Sequence, residues 1–136
     1  MKRRKQITIL VAVVAVVALA VATVERLGEE REQQALTECR NNMKNIGTAM
    51  EIYSTDWSGH YPSNLERLVP KYLQELPVCP NKFSGNYGLE TGPESPHNTQ
   101  KFQDYYYLYC PGESHHKMGL PPDYPTYDGV TGILER

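Results

Sequence analysis

The chain has 136 residues, with 14 lysines and arginines against 16 aspartates and glutamates. All sixteen acidic residues but only ten of the basic residues lie beyond residue 24, so that part carries a net charge of −6. This is the wrong sign for binding nucleic acid or an anionic lipid surface, and the length suits one small domain with one modest core.

An uncharged apolar run of eighteen residues, 7–24, follows a cluster of four basic residues at positions 2–5. As a helix it would be roughly 27 Å long, close to the ~30 Å hydrocarbon core of a bilayer. The sequence therefore predicts a single transmembrane helix. By the positive-inside rule, we expect the basic flank, residues 1–6, in the cytoplasm and the chain from Glu25 onward on the other side of the membrane.

The same segment also fits a cleavable signal sequence, because small residues two apart, such as Ala20 and Ala22, form a signal peptidase site. Cleavage there would release a secreted domain. The residues from Glu25 to Tyr53 favour a retained anchor instead, since they are rich in helix formers and no proline or Ser/Gly linker separates them from the apolar run. We expect an N-terminus that is not removed.

Residues 25–53 are predicted to continue the helix as a stem. Six apolar residues recur in it at spacings of three and four, which places them on one helical face. We expect this stripe to pack on the protein's own sheet, and a short coiled coil is the alternative. The stripe consists of Leu36, Cys39, Met43, Ile46, Met50 and Tyr53.

The head, residues 54–136, is predicted to be an α+β unit. Turn formers at 54–59 end the stem. Ser63 and Glu66 form a capping box ahead of a short helix at 64–69, which Pro70 stops. A small antiparallel sheet is expected within 84–134, and the tail from Pro111 onward is predicted to be mostly loop.

One strand-like segment is unusually rich in tyrosine. From Phe102 to Cys110 the alternation of a strand would direct one set of side chains towards the stem and the other outwards. An outward face of three tyrosines would be a rigid, amphipathic platform for a glycan or peptide, which gives the alternative function of a secreted or tethered recognition domain. The inward set is Tyr106, Leu108 and Cys110, and the outward set is Tyr105, Tyr107 and Tyr109.

Three cysteines lie on the oxidising side of the membrane in this topology. Cys79 and Cys110 each precede a proline and bracket the irregular middle of the head, so we expect a disulfide between them, with Cys39 as a buried thiol. A Cys39 to Cys110 bond stays open as an alternative, because the strand period directs Cys110 towards the stem.

No catalytic or cofactor pattern stands out. There is no G-x-S-x-G, and Cys39 on an apolar stripe lacks a basic neighbour that would make it a nucleophile. The four histidines show no ligand spacing, so we expect solvated loop histidines, no metal and no cofactor. They are His60, His97, His115 and His116. We therefore expect a protein that is not an enzyme.

Two stretches together resemble type IV pilin-like proteins, in particular the pseudopilins of type II secretion. They are LTECRNNMKNIGTAMEIY at 36–53 and DWSGHYPSNLERLVPKYLQEL at 56–76. The resemblance implies a long helix packed on a small antiparallel sheet. It also implies a structural role beside other pilin-like subunits or secretion components. Because the major pseudopilin has a calcium site in its C-terminal loop, Asp123 and Asp128 become calcium candidates, although turn-forming roles suit both.

The N-terminus departs from the pilin pattern. Pilins carry a Gly-Phe processing site before the apolar run and a glutamate inside it, and this chain has neither. The basic cluster would then stay attached to the helix, and moving four charges out of the cytoplasmic leaflet into a filament would be costly. We expect a minor or degenerate pseudopilin, or a membrane-tethered accessory of a secretion or pilus machine.

Overall fold

A computed structural model describes residues 2–81 and 85–134. Met1, at the start of the basic flank, and residues 135 and 136, at the end of the head, lie outside the described residues. Helix α1 spans Lys2–Asp56, and two 3-10 turns span Leu65–Leu68 and His116–Met118. The strands are β1 (Gly88–Thr91), β2 (Tyr106–Tyr109), β3 (Thr126–Asp128) and β4 (Gly132–Leu134).

Helix α1 is continuous over 55 residues, about 80 Å at the usual rise per residue. Its first half is long and apolar enough to cross a membrane, or to be a signal sequence, and none of the most apolar window is buried. The helix ends in a turn where the N–H of Gly59 donates to the carbonyl of Ser54 at 2.8 Å. Gly59 has a φ of +94°, which glycine adopts without strain.

The four strands form one antiparallel meander in the order β1-β2-β3-β4. The register places Leu89, Leu108 and Tyr127 side by side on the face that packs against α1. Glu90, Tyr107 and Asp128 are paired in the same way, and strand alternation puts them on the opposite face. The sheet is therefore covered by the helix on one side only.

The core lies between the distal half of α1 and the sheet. All six residues of the stem stripe are buried. All of them except Leu36 belong to one hydrophobic cluster with Tyr106, Leu108 and Cys110. Gly47 allows a close approach at the edge of this core, since a Cβ there would lie 2.8 Å from the Tyr127 ring. The α+β prediction, a long helix packed on a small antiparallel sheet, is confirmed, and this layout is consistent with a pilin-like fold.

One local prediction differs from the structure. The short helix is a single 3-10 turn capped by Asn64, whose side chain accepts from the N–H of Arg67, rather than by Ser63. The tail, predicted to be mostly loop, supplies β3 and β4, each three residues long and inside the range 84–134 predicted for the sheet. Strands this short carry too little alternation to be distinguished from loop by pattern.

Candidate functional site

Four potential metal ligands from separate parts of the chain meet beneath the sheet: Cys39, Cys79, Cys110 and His115. Cys39 lies on the buried stripe of α1, and Cys79 lies on the segment between the first 3-10 turn and β1. Cys110 follows β2, and His115 immediately precedes the second 3-10 turn. The sheet and the helix together therefore create this cluster, which we call the Cys/His cluster.

The ligand atoms of the Cys/His cluster all lie within 4.8 Å of one another. His115 Nε2 lies 3.4 Å from Cys79 Sγ. All four residues are buried, with Cys39 and Cys110 fully enclosed and His115 only 1 % exposed. The cluster is closed to solvent, so a small ion would fit it better than a substrate.

Hydrogen bonds hold the segments that carry these ligands. Asn42 Nδ2 donates to the carbonyl of Val78 at 3.1 Å, next to Cys79. Asn81 Nδ2 donates to the carbonyl of Ser114, next to His115. The carboxylate of Glu32 on α1 accepts from Lys117 Nζ at 3.0 Å and from Asn81 Nδ2 at 3.4 Å. Contacts outside the cluster thus position the backbone beside two of its members.

The environment shifts the pKa values of two members of the cluster. Burial lowers the pKa of His115, but hydrogen bonds with Cys110 and Cys79 outweigh it and raise the pKa to about 9. Hydrogen bonds with Cys110 and then Cys79, together with burial, raise the pKa of the Cys39 thiol. The groups of the cluster are therefore hydrogen-bonded to one another inside the core.

The predicted disulfide is not present. All three cysteines lie in the described part of the chain, and no sulfur–sulfur bond joins Cys79 to Cys110 or either of them to Cys39. Cys39 is a buried thiol beneath the sheet, as its place on the stripe predicts, but the other two cysteines lie beside it. The three cysteines lie together because the end of β2 and the segment around Cys79 both pack on the part of α1 that carries Cys39.

The expectation of solvated histidines is wrong for His115. His60 is exposed and pairs with Asp104 at 2.8 Å, and His116 is exposed, with its Nδ1 placed 2.8 Å from the carbonyl oxygen of Glu113. His115, one residue earlier, points inward. His116 is therefore a natural control, because the two histidines are adjacent in the chain and differ in burial.

The outward tyrosine face is covered rather than exposed. Tyr105 and Tyr107 are only 3 % and 5 % exposed, and Tyr109 is half-buried. The segment between β1 and β2 folds over this face, where the His97 ring stacks on Tyr107 with centroids 3.8 Å apart. His97 is held in turn by Glu90 at 3.0 Å. The predicted tyrosine platform is not available at the surface.

Asp123 and Asp128, the two calcium candidates, are engaged in local hydrogen bonds. Asp123 Oδ1 accepts from the N–H of Gly112 at 2.7 Å. Asp128 Oδ1 accepts from the N–H groups of Val130 and Thr131, and Oδ2 accepts from the Tyr105 hydroxyl at 2.6 Å. Among the described residues, neither belongs to a converging group of three or more acidic, histidine or cysteine ligands.

We expect Tyr105→Phe to destabilise the head at neutral pH and to make its stability depend less on pH in the acid range. Burial raises the pKa of Asp128, but hydrogen bonds from Tyr105 and from the backbone N–H groups of Thr131 and Val130 outweigh it and lower the pKa. The stabilisation of the head by ionised Asp128 is present above its unfolded pKa, near 3.9, and is lost as the pH falls through its folded pKa. The variant should raise the pKa of Asp128, which NMR can measure. It should lower the stability of the head by about 1 kcal/mol at neutral pH.

Tyr109→Phe, four residues further along the chain, is the matched control for that prediction, because it removes a hydroxyl that does not contact Asp128. Its acid transition should overlay that of the parent. An unchanged pKa of Asp128 in Tyr105→Phe would contradict the assigned hydrogen bond.

Sequence reasoning missed the Cys/His cluster because only two of its members, Cys110 and His115, lie close together in the sequence. Two signals were available in the sequence. Cys110 is followed five positions later by His115, and the periodicities of the stem and of the tyrosine strand direct Cys39 and Cys110 at the same core. Comparisons with protein-family models, with curated proteins and with solved structures found no match to this chain.

Proposed function

We propose that this chain is a membrane-anchored, pilin-like structural or accessory component of a bacterial secretion or pilus system. It crosses the inner membrane once, with its N-terminus in the cytoplasm and its head outside, and it has no catalytic role. The observation that carries this proposal is a single helix with two environments. Its first half is bare and apolar, and its second half forms the core of a small α+β head.

The bare half of α1 needs an apolar surrounding that the described part of the chain does not supply. Its large apolar side chains are more than half exposed, Val24 by 69 % for example. The hydroxyls of Thr8 and Thr23 donate to the helix carbonyls of Arg4 and Ala20, so they are satisfied within lipid. A bilayer is the surrounding that suits this segment.

The two halves are joined without a break, because α1 remains helical from Lys2 to Asp56. Between the apolar run and the first buried residue of the stripe, Leu36, lie eleven residues, or roughly 16 Å of helix, in which Glu32 and Ala35 are half-buried and the other residues are exposed. The head is therefore carried on a rigid arm just outside the bilayer. This placement suits lateral contact with neighbouring pilin-like subunits or secretion components.

The N-terminal sequence argues for an accessory role rather than a filament subunit. The apolar run contains no acidic residue, and four basic residues at positions 2–5 stand directly before it. Four positive charges on the cytoplasmic side resist extraction of the helix from the membrane. The alternative, a recognition domain acting through its tyrosines, is disfavoured because Tyr105 and Tyr107 are covered.

Deletion of the gene in its native host tests this proposal. We expect the deletion to reduce secretion of exported proteins or assembly of surface pili, and the full chain to restore it. The matched control is the head from Glu25 onward behind a cleavable signal sequence, which should be exported without complementing the deletion.

Two results would overturn the proposal. One is a deletion strain with unchanged secretion and unchanged pili. The other is full complementation by the released head, which would show that the membrane anchor is dispensable.

A further inference from the structure

We propose that the Cys/His cluster, Cys39, Cys79, Cys110 and His115, binds one zinc ion that ties the stem helix to the head. This site is independent of the proposed membrane role. The donor set is three thiolates and one imidazole, a combination typical of closed structural zinc sites. Thiolate-rich tetrahedral sites select soft or borderline ions, whereas calcium and magnesium require oxygen ligands.

The distances in the cluster suit a tetrahedral ion. With metal–sulfur bonds of about 2.3 Å and a metal–nitrogen bond of about 2.0 Å, the ligand atoms of such a site lie roughly 3.5 to 3.8 Å apart. The Nε2 to Sγ distance of 3.4 Å between His115 and Cys79 is close to that value, and the widest separation is within 4.8 Å. Contraction by about an ångström completes the site.

The burial of four polar side chains in a small core also needs an explanation. Buried donors and acceptors are costly unless they are paired. An ion bound to His115 Nε2 and to the three sulfurs gives all four groups a common partner. On binding, the three thiols release their protons as the metal–sulfur bonds form.

The surrounding contacts indicate a structural role. Asn42, Asn81 and Glu32 hold the segments beside Cys79 and His115 without using the ligand atoms. The four ligands come from α1, the segment before β1, the end of β2 and the start of the second 3-10 turn. One ion therefore cross-links all these parts. With four protein ligands, no coordination position remains open for a substrate.

The odd number of cysteines favours a metal over a disulfide. Any one disulfide would use two sulfurs and leave the third thiol and His115 enclosed beside it. A single ion uses all four groups. The two chemistries exclude each other at Cys79 and Cys110, so the test distinguishes them.

The test is metal analysis of the full chain, extracted from membranes in detergent and dialysed against a chelator of moderate affinity. We expect about one zinc per chain, counted by elemental mass spectrometry. Replacement by Co²⁺ should give thiolate-to-metal charge-transfer bands and the visible bands of tetrahedral cobalt. A strong chelator should lower the melting temperature of the head.

Two adjacent histidines provide the matched variants. His115→Ala should lower retained zinc by more than about tenfold, whereas His116→Ala should retain it fully. Cys79→Ser should behave like His115→Ala, and chelator should no longer change its melting temperature. His115→Cys offers a fourth thiolate and should keep both the zinc and the fold, so a variant that merely fails to fold does not decide the outcome.

Several results would overturn the proposal. They are a parent chain that neither carries nor takes up zinc, equal zinc in His115→Ala and His116→Ala, and iron instead of zinc in the isolated protein. Non-reducing peptide mapping that recovers a disulfide between any two of the three cysteines would also contradict it.

Discussion

Ile46→Asp is expected to unfold the head while the membrane segment stays helical. Ile46 is fully buried in the cluster that joins α1 to the sheet, together with Tyr106 and Leu108. The new carboxylate would have to be buried unpaired or expelled with its helix face, at a cost of several kcal/mol. A domain of this size has a total stability of about 5 to 10 kcal/mol. Near-ultraviolet circular dichroism of the full chain in detergent should lose its tyrosine signal.

The matched control is Asn45→Asp, one residue earlier on the exposed side of the helix. It introduces the same charge at the surface and should change stability by less than about 0.5 kcal/mol. If Ile46→Asp melts like the parent, the stripe does not pack on the sheet. The stripe would then pack against helices of partner chains, and the protein would assemble as a coiled coil or a filament.

The stem could be predicted from sequence because its pattern is long and local. Six apolar residues over eighteen positions, from Leu36 to Tyr53, fix one helical face, and a period of 3.6 accounts for all of them. The inward set of the tyrosine strand was predictable for the same reason, since Tyr106, Leu108 and Cys110 obey a period of two and lie in the core.

The outer face of the sheet could not be predicted, because its cover comes from a segment without periodicity. Strand alternation predicts that Tyr105 and Tyr107 point away from the helix, but it does not predict whether that face of the sheet is exposed to solvent. The covering contacts are made by single residues, such as His97 on Tyr107. Strands β3 and β4 lie inside the predicted range of the sheet, 84–134, but their individual positions could not be predicted because three residues are too few to show alternation.

The Cys/His cluster needed the fold as well as the residues. Familiar zinc motifs bring ligands together through short loops, so two of the ligands lie two to five residues apart. Here Cys110 and His115 are separated by four residues, whereas Cys39 and Cys79 come from distant segments. Only the packing of β2 and the segment around Cys79 on α1 places the ligand atoms within 4.8 Å of one another.

A pair of arginines in the apolar run, Val14→Arg with Val17→Arg, should release the chain from the membrane. Both valines are more than half exposed and lie near the middle of the run. Each arginine at the centre of a membrane helix costs about 2.5 to 3.5 kcal/mol on insertion scales, so two cost roughly 5 to 7. The eleven valines, isoleucines and leucines of the run favour insertion by about 0.3 to 0.6 kcal/mol each. The two arginines therefore offset the whole gain.

The readout is extraction of membranes with alkaline carbonate, after which the parent should remain in the pellet and the arginine variant should appear in the soluble fraction or be degraded. Val14→Leu with Val17→Leu is the control, because it changes the same positions without adding charge and should pellet like the parent. A soluble parent would mean that the segment is removed as a signal sequence, and a species beginning at Thr23 would identify the cleavage site. An arginine variant that still resists carbonate would instead show that the bare half of α1 is held by protein partners rather than by lipid, since buried partners can satisfy a charge that hydrocarbon cannot.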